Sequence, residues 1–132
     1  MSVIDLSKFE KEFAIKEEMR GNFHEKLFEI IDAKGLSNKE VYTRCNIERK
    51  RFSKIQCTHD IKPSKRIVLA LCIGLELTPK EAVDLMGRAD KAFNPNDSRD
   101  QYVLGFLKNK CCDIWKVNDF LAAKGLELLG SE

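Results

Sequence analysis

The stretch CNIERKRFSKI, residues 45 to 55, sets Arg49, Lys50, Arg51 and Lys54 around the apolar Ile47, Phe52 and Ile55. Wound as a helix, it turns Phe52 and Ile55 inward and Arg49, Lys50 and Lys54 outward. A solvated helix normally mixes Lys with Glu three or four positions apart, so that opposite charges pair. Here the only acid is Glu48, at the front of the stretch. A row of cations without acidic partners suits a polyanion. Guanidinium and ammonium groups donate to phosphate oxygens, and Arg or Lys can donate to the O6 and N7 acceptors of guanine.

The charge is local. The chain as a whole has a net charge of +2. Residues 37 to 66 hold nine basic residues (Lys39, Arg44, Arg49, Lys50, Arg51, Lys54, Lys62, Lys65, Arg66) against three acidic ones (Glu40, Glu48, Asp60), a net of +6. Residues 1 to 36 and 67 to 132 each come to −2. A basic block between weakly acidic flanks points to a polyanion.

Other reactive residue types form no comparable grouping. His24 and His59 have no partner at metal-ligand spacing and are expected on the surface. The cysteines (45, 57, 72, 111 and 112) form no Cys-x-x-Cys pair. An odd count with adjacent members suits reduced thiols in a cytoplasm. Adjacent helix positions present two sulfurs poorly to one ion, so Cys111 and Cys112 are expected to be buried or half-buried thiols. Trp115 is expected in the core or at an interface. No Ser/His/Asp grouping, phosphate-cradling glycine loop or carboxylate pair stands out. The expectation is a protein that is not an enzyme and uses no metal or cofactor.

The elements that must position this stretch all read as helix. With 132 residues, 43% hydrophobic and 33% charged, the chain can fold as one domain with a true core rather than remain disordered. The start, MSVIDLSKFEKEF, has no basic stretch followed by an apolar run and is not expected to be a secretion signal, and the richest apolar run, IVLALCIGLEL at 67 to 77, is too short to span a membrane. The first helix is expected after Ser7, with Glu10 at the capping-box position and Gly21 at its end. A second covers about 22 to 34 and ends at Gly35. Ser37 and Glu40 cap a short third one, which Asn46 ends. The basic helix follows. Pro63 then opens an apolar helix over 64 to 75, and Thr78-Pro79-Lys80-Glu81 starts another. FNPNDS breaks the chain at 93 to 98. Helices over 98 to 109 and 113 to 124 follow, with GLELLG apolar enough to fold back onto them.

Residues 36 to 63, LSNKEVYTRCNIERKRFSKIQCTHDIKP, resemble the Xre/Cro-repressor, or lambda repressor-like, helix-turn-helix family of bacterial and phage DNA-binding domains. Leu36, Ser37, Asn38, Lys39, Glu40 and Val41 match the family pattern. Ile47, Phe52, Ser53, Ile55 and Pro63 fall in register without a gap, and LALCIGLELTPKEAVDLM continues the likeness through two more helices. The chain departs from the family at Tyr42, where the family has a small residue, at Asn46, where it has Gly, and at Gln56-Cys57. Tyr42 must displace something or lie at the edge of the helix pair. A looser likeness over 22 to 130, carried by NKEVYTRCNIERKRFSKI, DIWKVNDFL and LELLG, is to a subgroup of small bacterial helical domains. In that subgroup this Tyr is ordinary, and the domains occur alone or at the C-terminal end of larger proteins.

The resemblance implies an all-α protein: a five-helix helix-turn-helix domain over 22–90, preceded by an N-terminal helix or arm (1–21) and followed by a C-terminal helical pair within 91–132. It implies sequence-specific binding of double-stranded DNA by a cytoplasmic transcriptional regulator of the repressor type, acting as a homodimer. Arg49, Lys50, Lys54 and Glu48 would face base edges, Glu48 by accepting from a cytosine amino group or by capping the helix. Asn38, Arg44, Lys62, Lys65 and Arg66 would contact phosphates. The alternative is a helical protein-interaction module that holds a protein partner through 91–130.

Overall fold

The structure is a computed structural model that describes residues 21–130. The helix expected after Ser7 lies outside them. The described residues form seven helices and no strand: α1 (Phe23–Ala33), α2 (Asn38–Arg44), α3 (Arg49–Cys57), α4 (Lys65–Gly74), α5 (Pro79–Arg88), α6 (Ser98–Lys108) and α7 (Ile114–Ala123). Among the described residues no helix is long and apolar enough to cross a membrane.

Short polar side chains start most of these helices, because the first amides of a helix have no partner within it. Asn22, Asp97 and Asp113 accept from those amides in α1, α6 and α7. Ser37 with Glu40 and Thr78 with Glu81 form full capping boxes on α2 and α5. Hydrogen bonds from Thr78 hold the Glu81 carboxyl below its usual range, so this box is complete at neutral pH and is lost as pH falls through that lowered value. The start of α4 differs from expectation: Pro63 precedes the N-cap Ser64, and the helix begins at Lys65.

The helix ends share one geometry. Gly35, Asn46, Glu76, Asp90, Lys110 and Gly125 all have φ between 54° and 69° and follow α1, α2, α4, α5, α6 and α7. The next residue's amide then reaches back to the helix: Leu36 to Ile31, Ile47 to Tyr42, Leu77 to Cys72 and Leu126 to Leu121, at 2.9–3.2 Å. This is the Schellman ending, and the apolar residue that closes it enters the core. Such stops let the short helices turn sharply enough to pack.

Helix α4 runs through the centre. Every residue from Ile67 to Gly74 is buried. It packs against α2, α5, α6 and α7, while α1 covers α5 and α3 packs on α2. One cluster of buried side chains extends from Phe23 to Leu129 and includes members of all seven helices. The closest approach is between the ends of α2 and α4. A Cβ added to Gly74 would lie 2.2 Å from Cys45 Sγ and 3.1 Å from backbone atoms of Arg44 and Cys45.

No disulfide forms. Cys45 and Cys72 are buried, Cys112 is half-buried, and Cys57 and Cys111 are exposed. The exposure of Cys111 corrects the sequence expectation: it lies just beyond the left-handed Lys110, off the end of α6, where no described helix covers it. Burial pushes the Cys45 thiol up to about 12 and raises that of Cys72 as well, so neither forms a thiolate at neutral pH. Two outcomes follow. In a native-state titration with a disulfide reagent, Cys57 and Cys111 react first and Cys112 more slowly, while Cys45 and Cys72 react only on unfolding. Gly74→Ala forces α2 and α4 apart and lowers the denaturation midpoint by an amount equivalent to about 1–3 kcal/mol.

Candidate nucleic-acid interface

The basic helix is held by its apolar side. Ile47, Phe52 and Ile55 are 4%, 1% and 2% exposed. Phe52 packs with its ring centroid 6.0 Å from both Phe28 of α1 and Tyr42 of α2. Successive residues advance about 100° around a helix, so the direction opposite Phe52 and Ile55 belongs to Lys50, Ser53, Lys54 and Cys57. Arg49 and Arg51 flank that row on either side. All six side chains are exposed. Sequence reasoning left Arg51, Ser53 and Cys57 out of the site, although helical spacing alone places Ser53 and Cys57 between the expected contacts.

The turn before α3 is fixed from two directions. Asn46 takes φ 54°, and the Ile47 amide bonds to the Tyr42 carbonyl at 2.9 Å. Glu48 occupies the N-cap position with extended backbone (φ −62°, ψ 139°) and makes no side-chain cap hydrogen bond. The first amides of α3 are therefore not closed off by their cap residue. Tyr42 lies at the edge of the α2–α3 pair, half-buried, and lines an open groove instead of separating the two helices.

Residues 126 to 130 form a strap that reaches this turn. The Asn118 side-chain amide binds both backbone groups of Leu129, accepting from its N–H at 2.8 Å and donating to its carbonyl at 3.1 Å. Asn46 Nδ2 donates to the same carbonyl at 3.3 Å. Gly130 has φ 90°, and a Cβ there would lie 2.4 Å from the Asn46 carbonyl oxygen. Only glycine fits that backbone angle and that approach. The tail thus folds back as expected, and it also grips the turn that aims α3.

The expected phosphate contacts divide into two groups. Asn38, the first residue of α2, and Arg44, its last, are exposed. Lys62, Lys65 and Arg66 each hold an intramolecular partner. Lys62 pairs with Asp90 at the surface. Lys65 pairs with Oδ2 of Asp100, which is fully buried; the same oxygen accepts from the Asn94 N–H at 2.8 Å, and Oδ1 has no hydrogen-bond partner. Arg66 donates through Nε to the Gly130 carbonyl and lies 3.6 Å from Glu127. Arg49, Lys50, Arg51 and Lys54 form no salt bridge with any described residue.

The histidines are not solitary. His24 and His59 lie with ring centroids 5.5 Å apart, and His24 Nε2 bonds to the Gln56 carbonyl at 2.7 Å. With Asn22 Nδ2 donating to the His59 carbonyl at 2.7 Å, they tie the start of α1 to the end of α3. Among the described residues no group of three or more His, Cys, Asp or Glu side chains is placed to hold a metal ion. Trp115 is 56% exposed and so is not a core residue.

No family model matches the chain, and no curated protein or solved structure does either.

The strap gives this surface a direct test. Asn118→Ala leaves the buried N–H of Leu129 without a partner, which costs about 1–3 kcal/mol. Hydrogen exchange then rises at residues 45–48, across the turn, as well as at 126–130. A change confined to 126–130 shows that the strap does not hold the turn.

Proposed function

We propose that this chain binds double-stranded DNA through α3, as a helix-turn-helix domain of the Xre/Cro type, and serves as a transcriptional regulator. The observation that carries the reading is the pairing of two faces on one helix. Phe52 and Ile55 are buried, and opposite them Lys50 and Lys54, flanked by Arg49 and Arg51, form no salt bridge with any described residue. A solvated surface helix gains by pairing its cations with acids. A helix that enters the major groove keeps them for guanine and phosphate oxygens.

In this reading Arg49, Lys50 and Lys54 read base edges. Glu48, whose side chain does not cap α3, accepts from a cytosine amino group. Asn38 and Arg44 hold phosphates, the former at the start of α2 where free amides also point. Lys62 can exchange its exposed Asp90 partner for a phosphate at little cost, since an ion pair in water is weak. Lys65 and Arg66 keep their partners: withdrawing Lys65 would leave the buried Asp100 carboxylate without a counter-charge, held only by the Asn94 N–H. Lambda repressor-like domains bind two half-sites as a two-fold dimer, and a homodimer is the assembly proposed here.

A salt titration tests the reading. The protein binds random duplex at low salt, and affinity falls steeply as salt rises, by about 0.9 in log–log slope for each phosphate contact. Replacing Arg49, Lys50 and Lys54 together with Ala weakens binding to random duplex and flattens the salt slope, since non-specific affinity is carried by charge. Absence of binding at low salt, or binding indifferent to the triple substitution, leaves the other reading, a helical module that holds a protein partner through 91–130.

A further inference from the structure

An exposed indole stands beside the basic helix. Trp115 is the chain's single tryptophan and the most exposed of the large hydrophobic side chains among the described residues. Its backbone is fixed, because the Asp113 carboxylate accepts from the amides of Trp115 at 3.0 Å and Lys116 at 3.4 Å. The side chain therefore projects from a rigid first turn of α7. It forms the shared wall of two grooves. One, of about 360 Å³, is lined on its other side by Tyr42, Thr43, Asn46, Ile47, Glu48 and Arg49. The second, of about 410 Å³, includes Arg44, Glu76 and Asp113.

Trp115 thus lies between Arg49 and Arg44, the first expected to contact a base and the second a phosphate. Resting on the DNA reading above, we propose that Trp115 belongs to the DNA interface. Its ring lies against a deoxyribose of the strand that flanks the α3 contact, and Nε1–H donates to a phosphate oxygen of that strand. An indole suits such a position, since it offers a broad apolar face and one donor at its edge. The charges choose the side. Glu76 and Asp113 in the second groove repel phosphate and offset Arg44, whereas the first groove holds Arg49 and a single acid, Glu48. The strand therefore passes on the Arg49 side. The helical pair α6–α7 lengthens the footprint beyond what α2 and α3 cover, at a point where sugar and phosphate contacts add affinity without reading sequence.

Because the chain has one tryptophan, its emission reports on this site alone. Titration with a short random-sequence duplex at low salt should change Trp115 emission and shield it from acrylamide. The change should saturate together with the anisotropy of the same duplex carrying a dye. Trp115→Ala should weaken binding by roughly five- to tenfold at unchanged circular dichroism, and Trp115→Phe by less. If anisotropy shows binding that Arg49→Ala weakens, while emission is unchanged and Trp115→Ala binds as the parent does, the inference about Trp115 is overturned and the DNA reading stands. If the parent protein gives no anisotropy change at low salt, both fall.

Discussion

A helix buried on every side has to be surrounded, and α4 sets that requirement here. From Ile67 to Gly74 no side chain of α4 reaches water. Burying a run such as Ile67, Val68, Leu69, Leu71 and Ile73 contributes on the order of 10 kcal/mol before the entropy of ordering the chain is counted. That gain is available only if other elements enclose α4. Helices α2 and α5 cover part of it, and α6 and α7 cover the rest. The C-terminal pair is accordingly part of the same core as the five helices before it. Val103, Leu107, Ile114, Val117 and Leu121 lie in one cluster with Leu69 and Leu71.

Enclosure of α4 also explains the tight contacts around α2. Four elements crowd one helix, so the end of α2 comes close enough to α4 that only a hydrogen fits at Gly74. On the other side of the same turn, only a hydrogen fits at Gly130. The chain between α2 and α3 is gripped between α4 and the strap, with Asn46 bonded to the strap itself. A short helix of nine residues such as α3 has little stability of its own and takes its direction from its surroundings. Its aim depends on residues more than eighty positions downstream.

Much of this was legible in the residues because the signals were local. Ser37 with Glu40 and Thr78 with Glu81 marked helix starts; Gly35 and Asn46 marked ends; the spacing of Phe52 and Ile55 marked the buried side of α3. What escaped was set by distance. Lys62, Lys65 and Arg66 read as part of a basic block, but their partners lie 28, 35 and 64 positions away, in a segment whose acids carried no pattern. The link between the two histidines escaped for the same reason: the end of α3 brings Gln56, 32 positions from His24, to the start of α1, and His59 follows close behind. For Trp115, expected in the core or at an interface, the structure excludes the core. The residue adjoins the buried Ile114, and helical periodicity separates the two faces without saying that no neighbouring helix covers the second one.

The charge distribution then takes on a spatial meaning that the linear count lacked. The block from 37 to 66 has a net of +6, yet the C-terminal half, itself net negative, sends Asp90, Asp100 and Glu127 to the three cations at its end. Those cations are spent on holding α4, the connection before α6 and the strap in place. Arg49, Lys50, Arg51 and Lys54, in the same block, form no salt bridge with any described residue. The acids that dock the C-terminal pair onto the core thus pair with one end of the block, and the outer face of α3 is left without a salt bridge among the described residues. That is the surface on which a phosphate backbone would find its counter-charge.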